Sequence, residues 1–153
     1  YLDNYTYAFP LLRQYQFKGT FFVITRLLDE RQQGYMNWEQ AQTLQANGMD
    51  VEPHSYTHPD LRGQSVDYLV WQMMGSREAV EAHLSKTARF FCYPSGRYDQ
   101  RAIDVLRSAG YWGAVTTEAG VEHTFAGLYQ LKRLRIHGGQ SLAQFKATLD
   151  YYK

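Results

Sequence analysis

The sequence predicts an α/β fold with a parallel sheet, and three observations predict it. Short apolar runs rich in β-branched and aromatic residues alternate with longer stretches of helical periodicity. Helical stretches open on capping residues, and two of them close on glycine, Gly48 and Gly110. The residues with chemistry to offer collect where the apolar runs end, the edge at which parallel α/β folds bind ligands. Closed barrel or open sheet is not settled by this pattern.

Asp3 or Asn4 is placed to cap an opening helix whose Tyr5, Ala8, Phe9, Leu12 and Tyr15 share one face, with Pro10 as a first turn or a kink. Thr20-Phe21-Phe22-Val23-Ile24 reads as a strand buried on both faces. Asn37-Trp38-Glu39-Gln40 is a capping-box pattern for a helix running to about Asn47. Met49 to Glu52 forms a weak strand that delivers the chain to His54. Ser65 opens a long helix to about Leu84, and Arg89 to Tyr93 is the next strand, stopped by the turn residues Pro94-Ser95-Gly96. Asp99 caps a helix through Ala109, and Gly113 to Thr116 is a short strand. Residues 117 to 128 form an irregular loop, Leu131 to Ile136 the last strand, and Ser141 to Gln144 a second capping box. The series opens on a helix, as though a first strand had been cut away.

At 153 residues, 44% hydrophobic and 20% charged, the chain suits one globular domain over residues 1–153. A net charge of +1 provides no bulk attraction to nucleic acid or anionic membrane. The single cysteine, Cys92, excludes an internal disulfide, and no apolar run reaches the length of a membrane span.

His54 and His58 can place two imidazole nitrogens on one metal ion. Pro53 and Pro59 bracket them, so the pair sits in a tight loop rather than on a helix. Pro94-Ser95-Gly96 and His137-Gly138-Gly139 end two other strands, and three such features at one sheet edge favour a functional loop. His83 and His123 read as structural or solvent-facing.

At these residues the sequence resembles the polysaccharide deacetylases of the NodB-homology, chitooligosaccharide-deacetylase type. Gly48-Met49 followed by His54-Ser55-Tyr56-Thr57-His58-Pro59-Asp60-Leu61 is similar to the family's metal-binding motif. Phe91 to Asp99 is similar to its groove motif, and Asp3-Asn4-Tyr5 with Phe9 to Leu12 to its first helix. Lys18 to Phe22 resembles the following strand, while Gly110-Tyr111, Ala114 to Thr117 and Arg133 to Gly138 resemble the closing motifs.

The resemblance implies a distorted (β/α) barrel and removal of N-acetyl groups from an N-acetylated glycan. It implies one divalent metal, usually zinc with cobalt or nickel as substitutes, on His54, His58 and an aspartate. His137 is then the candidate general acid, Ser95 and the turn after Pro94 the candidate oxyanion site, and Tyr93 and Trp112 candidates for stacking on acetyl group or sugar. An extracytoplasmic location, with neither nucleic acid nor membrane insertion, follows from the same resemblance.

Three departures stand out. The family's Asp-Asp-Gly, source of the base and the third ligand, is expected just before Tyr1; the reading is of an N-terminally truncated domain whose gene encodes it upstream, with Asp3 a cap rather than a substitute. Cys92 stands where many relatives carry an arginine that orients the base, with Arg97 as a candidate replacement. Ser95 stands where an aromatic residue is common. The alternative to a deacetylase is a non-catalytic carbohydrate-binding domain on the same fold; a third reading is a metal-dependent hydrolase of another amide or ester.

Overall fold

A computed structural model describes residues 1–152. The apolar runs form four short strands: β1 (Thr20–Val23), β2 (Asp50–Pro53), β3 (Phe90–Cys92) and β4 (Gly113–Val115). β1 pairs with β2 in parallel, Thr20 opposite Asp50, and β3 pairs with β4 in parallel, Phe90 opposite Gly113. The helices before, between and after them are α1 (Phe9–Gln14), α2 (Thr25–Asp29), α3 (Trp38–Ala46), α4 (Val66–Leu84), α5 (Gln100–Ser108) and α6 (Leu142–Tyr151). Caps form where the sequence places them. Asn37 and Ser141 close full capping boxes, and Ser65 and Asp99 accept from the N–H three residues on. Gly48 and Gly110 take positive φ at the two helix ends.

The opening helix differs from expectation. Asp3 has helical dihedrals and no side-chain cap bond, so it lies within the helix, which runs through a π-helical turn at Asn4–Ala8 into α1. α2 and a 3-10 turn at Leu128–Gln130 were not expected.

Among the described residues the fold is mixed α/β with two small two-stranded parallel sheets, and the expected distorted barrel is not confirmed by them. The separation of the two sheets has a physical cause. Between β2 and β3 the Glu52 carboxylate accepts from the N–H groups of Arg89 at 3.0 Å and Phe90 at 3.1 Å, so these amides bond a side chain rather than a neighbouring strand. Lys86 Nζ binds the same carboxylate at 2.8 Å and also reaches Asp50. Burial raises the pKa of Glu52, while the ammonium of Lys86 and the Phe90 N–H pull it back down.

The expected strand Leu131–Ile136 reduces to one bridge residue, Leu131 beside Val115. The carbonyl of Thr116 accepts from the Arg133 side chain, and the Arg133 N–H turns to Glu118 instead.

Two apolar cores flank the two sheets. One gathers Phe21, Val23, Leu44 and Val51; the other gathers Phe91, Leu106, Tyr111 and Ala114. α4 serves both through one stripe at helical spacing: Leu69 and Met73 enter the second core, Val80 and Leu84 the first.

Glu52→Leu leaves two amides without their partner and the Lys86 ammonium with Asp50 and the Val51 carbonyl alone, and should destabilise the protein by about 3–5 kcal/mol. Urea unfolding reads this as a lower midpoint at unchanged slope. A wild-type midpoint would show that the two sheets do not depend on the carboxylate.

Candidate functional site

β2 ends at Pro53 and the chain turns at once into the histidine loop. The turn is tight because two non-glycine residues, Ser55 and His58, take φ of 65° and 64°. Such conformations cost about 1–3 kcal/mol each and persist where the surroundings over-determine them. They do here. The Ser55 hydroxyl, wholly buried, accepts from the His58 N–H at 2.9 Å, and the Ser55 carbonyl accepts from Thr25.

From α4 the buried Gln72 clamps the other side of the loop. Its carbonyl oxygen accepts from the Tyr56 N–H, its side-chain oxygen from the Thr57 N–H at 2.9 Å, and its amide donates to the Thr57 hydroxyl at 2.6 Å. Sequence reading placed Gln72 early in the long helix and gave it no role. Its one signal was a polar side chain on the stripe that carries Leu69, Met73 and Val80.

The two imidazoles lie with ring centroids 4.8 Å apart at 70°. His54 Nδ1 is 2.6 Å from the carbonyl oxygen of Cys92. A carbonyl can only accept, so Nδ1 carries the proton and the lone pair of the neutral ring is on Nε2. Burial pushes the His54 pKa down to about 4, against the Cys92 carbonyl, which raises it, so the ring is neutral near pH 7. A neutral imidazole with its other nitrogen held by a backbone carbonyl is the form in which histidine ligates a metal. The pair therefore fits the nitrogen half of a divalent-metal site. Among the described residues, no cluster of three His, Cys, Asp or Glu side chains forms. Asp60, the nearest carboxylate along the loop, is bound to Arg62 at 2.6 Å and faces Arg97 at 3.5 Å; the bond to Arg62 holds its pKa down at about 2.

His54 and His58 line a cleft of about 530 Å³ with Tyr1, Cys92, Tyr93, Ser95, Thr116, Arg133 and Arg135. Ser95 sits in the 3-10 turn Pro94–Gly96 with φ 53°, and Pro94 is buried beneath it. Tyr93 borders the cleft, yet its ring is 1% exposed, stacks on Tyr98 at 4.3 Å, and its hydroxyl donates to the Tyr129 carbonyl.

Three candidates, Pro94, Trp112 and His137, fall outside the cleft lining. Trp112 precedes β4, at the strand's opposite end, with Arg89 stacked on its ring at 4.3 Å. Its place is set by the Trp112 N–H bonding the Arg89 carbonyl at the start of the β3–β4 pair. His137 is exposed just past Arg135, its N–H bonded to the Gln140 side chain. His83 stacks on Trp38 at 4.3 Å, and His123 Nε2 lies 2.9 Å from the Lys132 carbonyl.

The arginine beside Cys92 is Arg133, not Arg97. Arg133 Nη2 lies 3.6 Å from the Cys92 sulfur, and Arg133 Nε donates to the Thr116 carbonyl, whereas Arg97 pairs with Asp60. No local pattern distinguished Arg133 from its neighbours Lys132 and Arg135.

The family profile described as polysaccharide deacetylase matches residues 1–114, and the chain belongs to that family. YxkH of Bacillus subtilis, whose name carries the same family description, is 29% identical over the whole chain, which spans 54% of its length. The deacetylase PplD of Streptococcus pyogenes, solved in complex with acetate, is 30% identical and superposes with a TM-score of 0.91 over 96% of this chain and 65% of its own. A CE4 family pseudoenzyme of Bacillus anthracis shares the fold, with 23% identity and a TM-score of 0.66 over 74% of this chain and 38% of its own. This chain thus spans about half to two thirds of the first two relatives.

Gln72→Met keeps the helix and the volume but removes the clamp. Amide exchange at Thr57 and the residues beside it should accelerate at least tenfold, with a loss of about 1–3 kcal/mol in stability. Unchanged exchange there would mean that the loop holds itself.

Proposed function

We propose that this member of the polysaccharide deacetylase family is a metal-dependent hydrolase that removes N-acetyl groups from an N-acetylated glycan. The observation that carries the reading is the state of His54: neutral, its Nδ1–H spent on Cys92, its Nε2 lone pair left for a ligand beside His58. A divalent ion held by this pair, zinc or else cobalt or nickel, supplies Lewis acidity toward the amide carbonyl and a lowered pKa for water.

The chain's own groups do the rest. In the reaction, water adds to the acetamide carbon and the C–N bond breaks, releasing acetate and a free amine. The Ser95 N–H, in the strained turn at the cleft wall, is the candidate donor to the oxygen that gains charge. The guanidinium of Arg133 adds a fixed positive charge to the same wall. His137 is the candidate to return a proton to the departing amine, which requires its exposed stretch to fold over the cleft. For the base and third ligand, we look to carboxylates preceding Tyr1. Tyr1 lines the cleft together with His54 and His58, so residues carried just before it would lie beside the histidines. The sequence of the parent gene tests this; an ending other than Asp-Asp-Gly before Tyr1 would sink it.

A second reading, a carbohydrate-binding domain without catalysis, is favoured by Cys92 standing where relatives carry the base-orienting arginine. One assay separates the two. Full-length protein should release acetate from N-acetylglucosamine oligomers, lose that activity to a chelator, and regain it with zinc or cobalt. His58→Ala should lose bound metal and at least a hundredfold in activity together. Oligomer binding without acetate release would establish the binding domain, and unchanged metal content in the variant would remove the histidines as ligands.

A further inference from the structure

Outside the cleft, where the histidine loop meets α4, lies an aromatic cluster that the chemistry above does not use. Trp71 is 48% exposed on α4. Its ring meets Tyr56 edge-on at 5.3 Å and 63°, and Tyr68 at 5.6 Å and 53°. Tyr68 and Trp71 stand three apart on one face of α4, whereas Tyr56 belongs to the loop between the two histidines. The Gln72 clamp ties that loop to the helix next to Trp71, so the three rings keep a constant position relative to His54 and His58.

A polar edge adjoins the rings. The Arg26 N–H donates to the Tyr56 carbonyl, and its guanidinium pairs with Glu30 at 2.7 Å. A half-exposed indole flanked by two tilted rings, with charged donors and acceptors alongside, matches a pyranose: an apolar C–H face to stack and hydroxyls at the rim to hydrogen-bond. A polymer presenting one acetamide to the cleft has further units that must leave over the rim.

We propose that Trp71, flanked by Tyr56 and Tyr68, is a stacking platform for a sugar ring of the glycan, one or more units along from the ring whose acetamide enters the cleft. The platform rests on the glycan reading of the site. It makes the enzyme prefer oligomers to single sugars, because only an oligomer reaches cleft and platform together.

The test uses the full-length protein with the N-acetylglucosamine hexamer as probe. Trp71→Ala should raise KM for the hexamer about tenfold with kcat unchanged, the signature of a contact made equally in ground and transition states. Trp71→Tyr should recover most of the loss. In chelator-treated protein the Trp71 indole N–H resonance should shift on titration with the hexamer, while those of Trp38 and Trp112 stay. Wild-type KM and kcat in Trp71→Ala would overturn the platform and leave the deacetylase standing. Neither acetate release nor hexamer binding by the wild-type protein would overturn the glycan reading and the platform with it.

Discussion

The position of the candidate site depends on side chains standing in for a strand ladder between β2 and β3. Glu52 takes the N–H groups of Arg89 and Phe90, and two residues on, His54 takes the carbonyl of Cys92. Side chains two apart along a strand share a face, so both reach toward β3, and both contacts advance two residues on that strand. The register of the two sheets is thus carried by one carboxylate and one imidazole. The buried charge is tolerable because Lys86 and two amides surround it. The second contact sets the tautomer of His54, so the bond that helps align the sheets also leaves the lone pair of this cleft-lining ring on Nε2.

α4 is the second organising element. It crosses both cores and, within the segment that enters the second core, offers Gln72 to the histidine loop. Local strain at Ser55 and His58 is thereby held in place from two directions, the Ser55 hydroxyl within the loop and Gln72 from outside it. A loop so pinned can hold two imidazoles at a fixed separation before any ligand arrives, and pre-organisation of this kind is what a metal or a transition state rewards.

The cleft wall opposite is assembled from distant segments. Cys92, Ser95, Thr116 and Arg133 come from three separate stretches of chain. Burial raises the Cys92 thiol pKa, against the nearby Arg133, so the sulfur stays a protonated, inert neighbour of the guanidinium. That the arginine arrives from after the last bridge, rather than from the groove motif, shows how the same local charge can be supplied by a different part of a fold.

What the sequence determined by itself was what is settled within a few residues. The caps at Asn37, Ser65, Asp99 and Ser141 each bond an N–H three positions on, so residue type and spacing suffice to predict them. The histidine pair between two prolines belongs to the same class, and so does α/β alternation. The tertiary structure alone decided what joins residues far apart: Glu52 to Lys86, Gln72 to Thr57, His54 to Cys92 and Arg133 to Cys92. It likewise decided that the strands gather in two small sheets, that Arg89 stacks on Trp112, and that Asp3 joins a helix it was expected to cap. Contacts of this kind leave no periodic trace along the chain, because either partner is an ordinary polar or aromatic residue until folding brings the other to it.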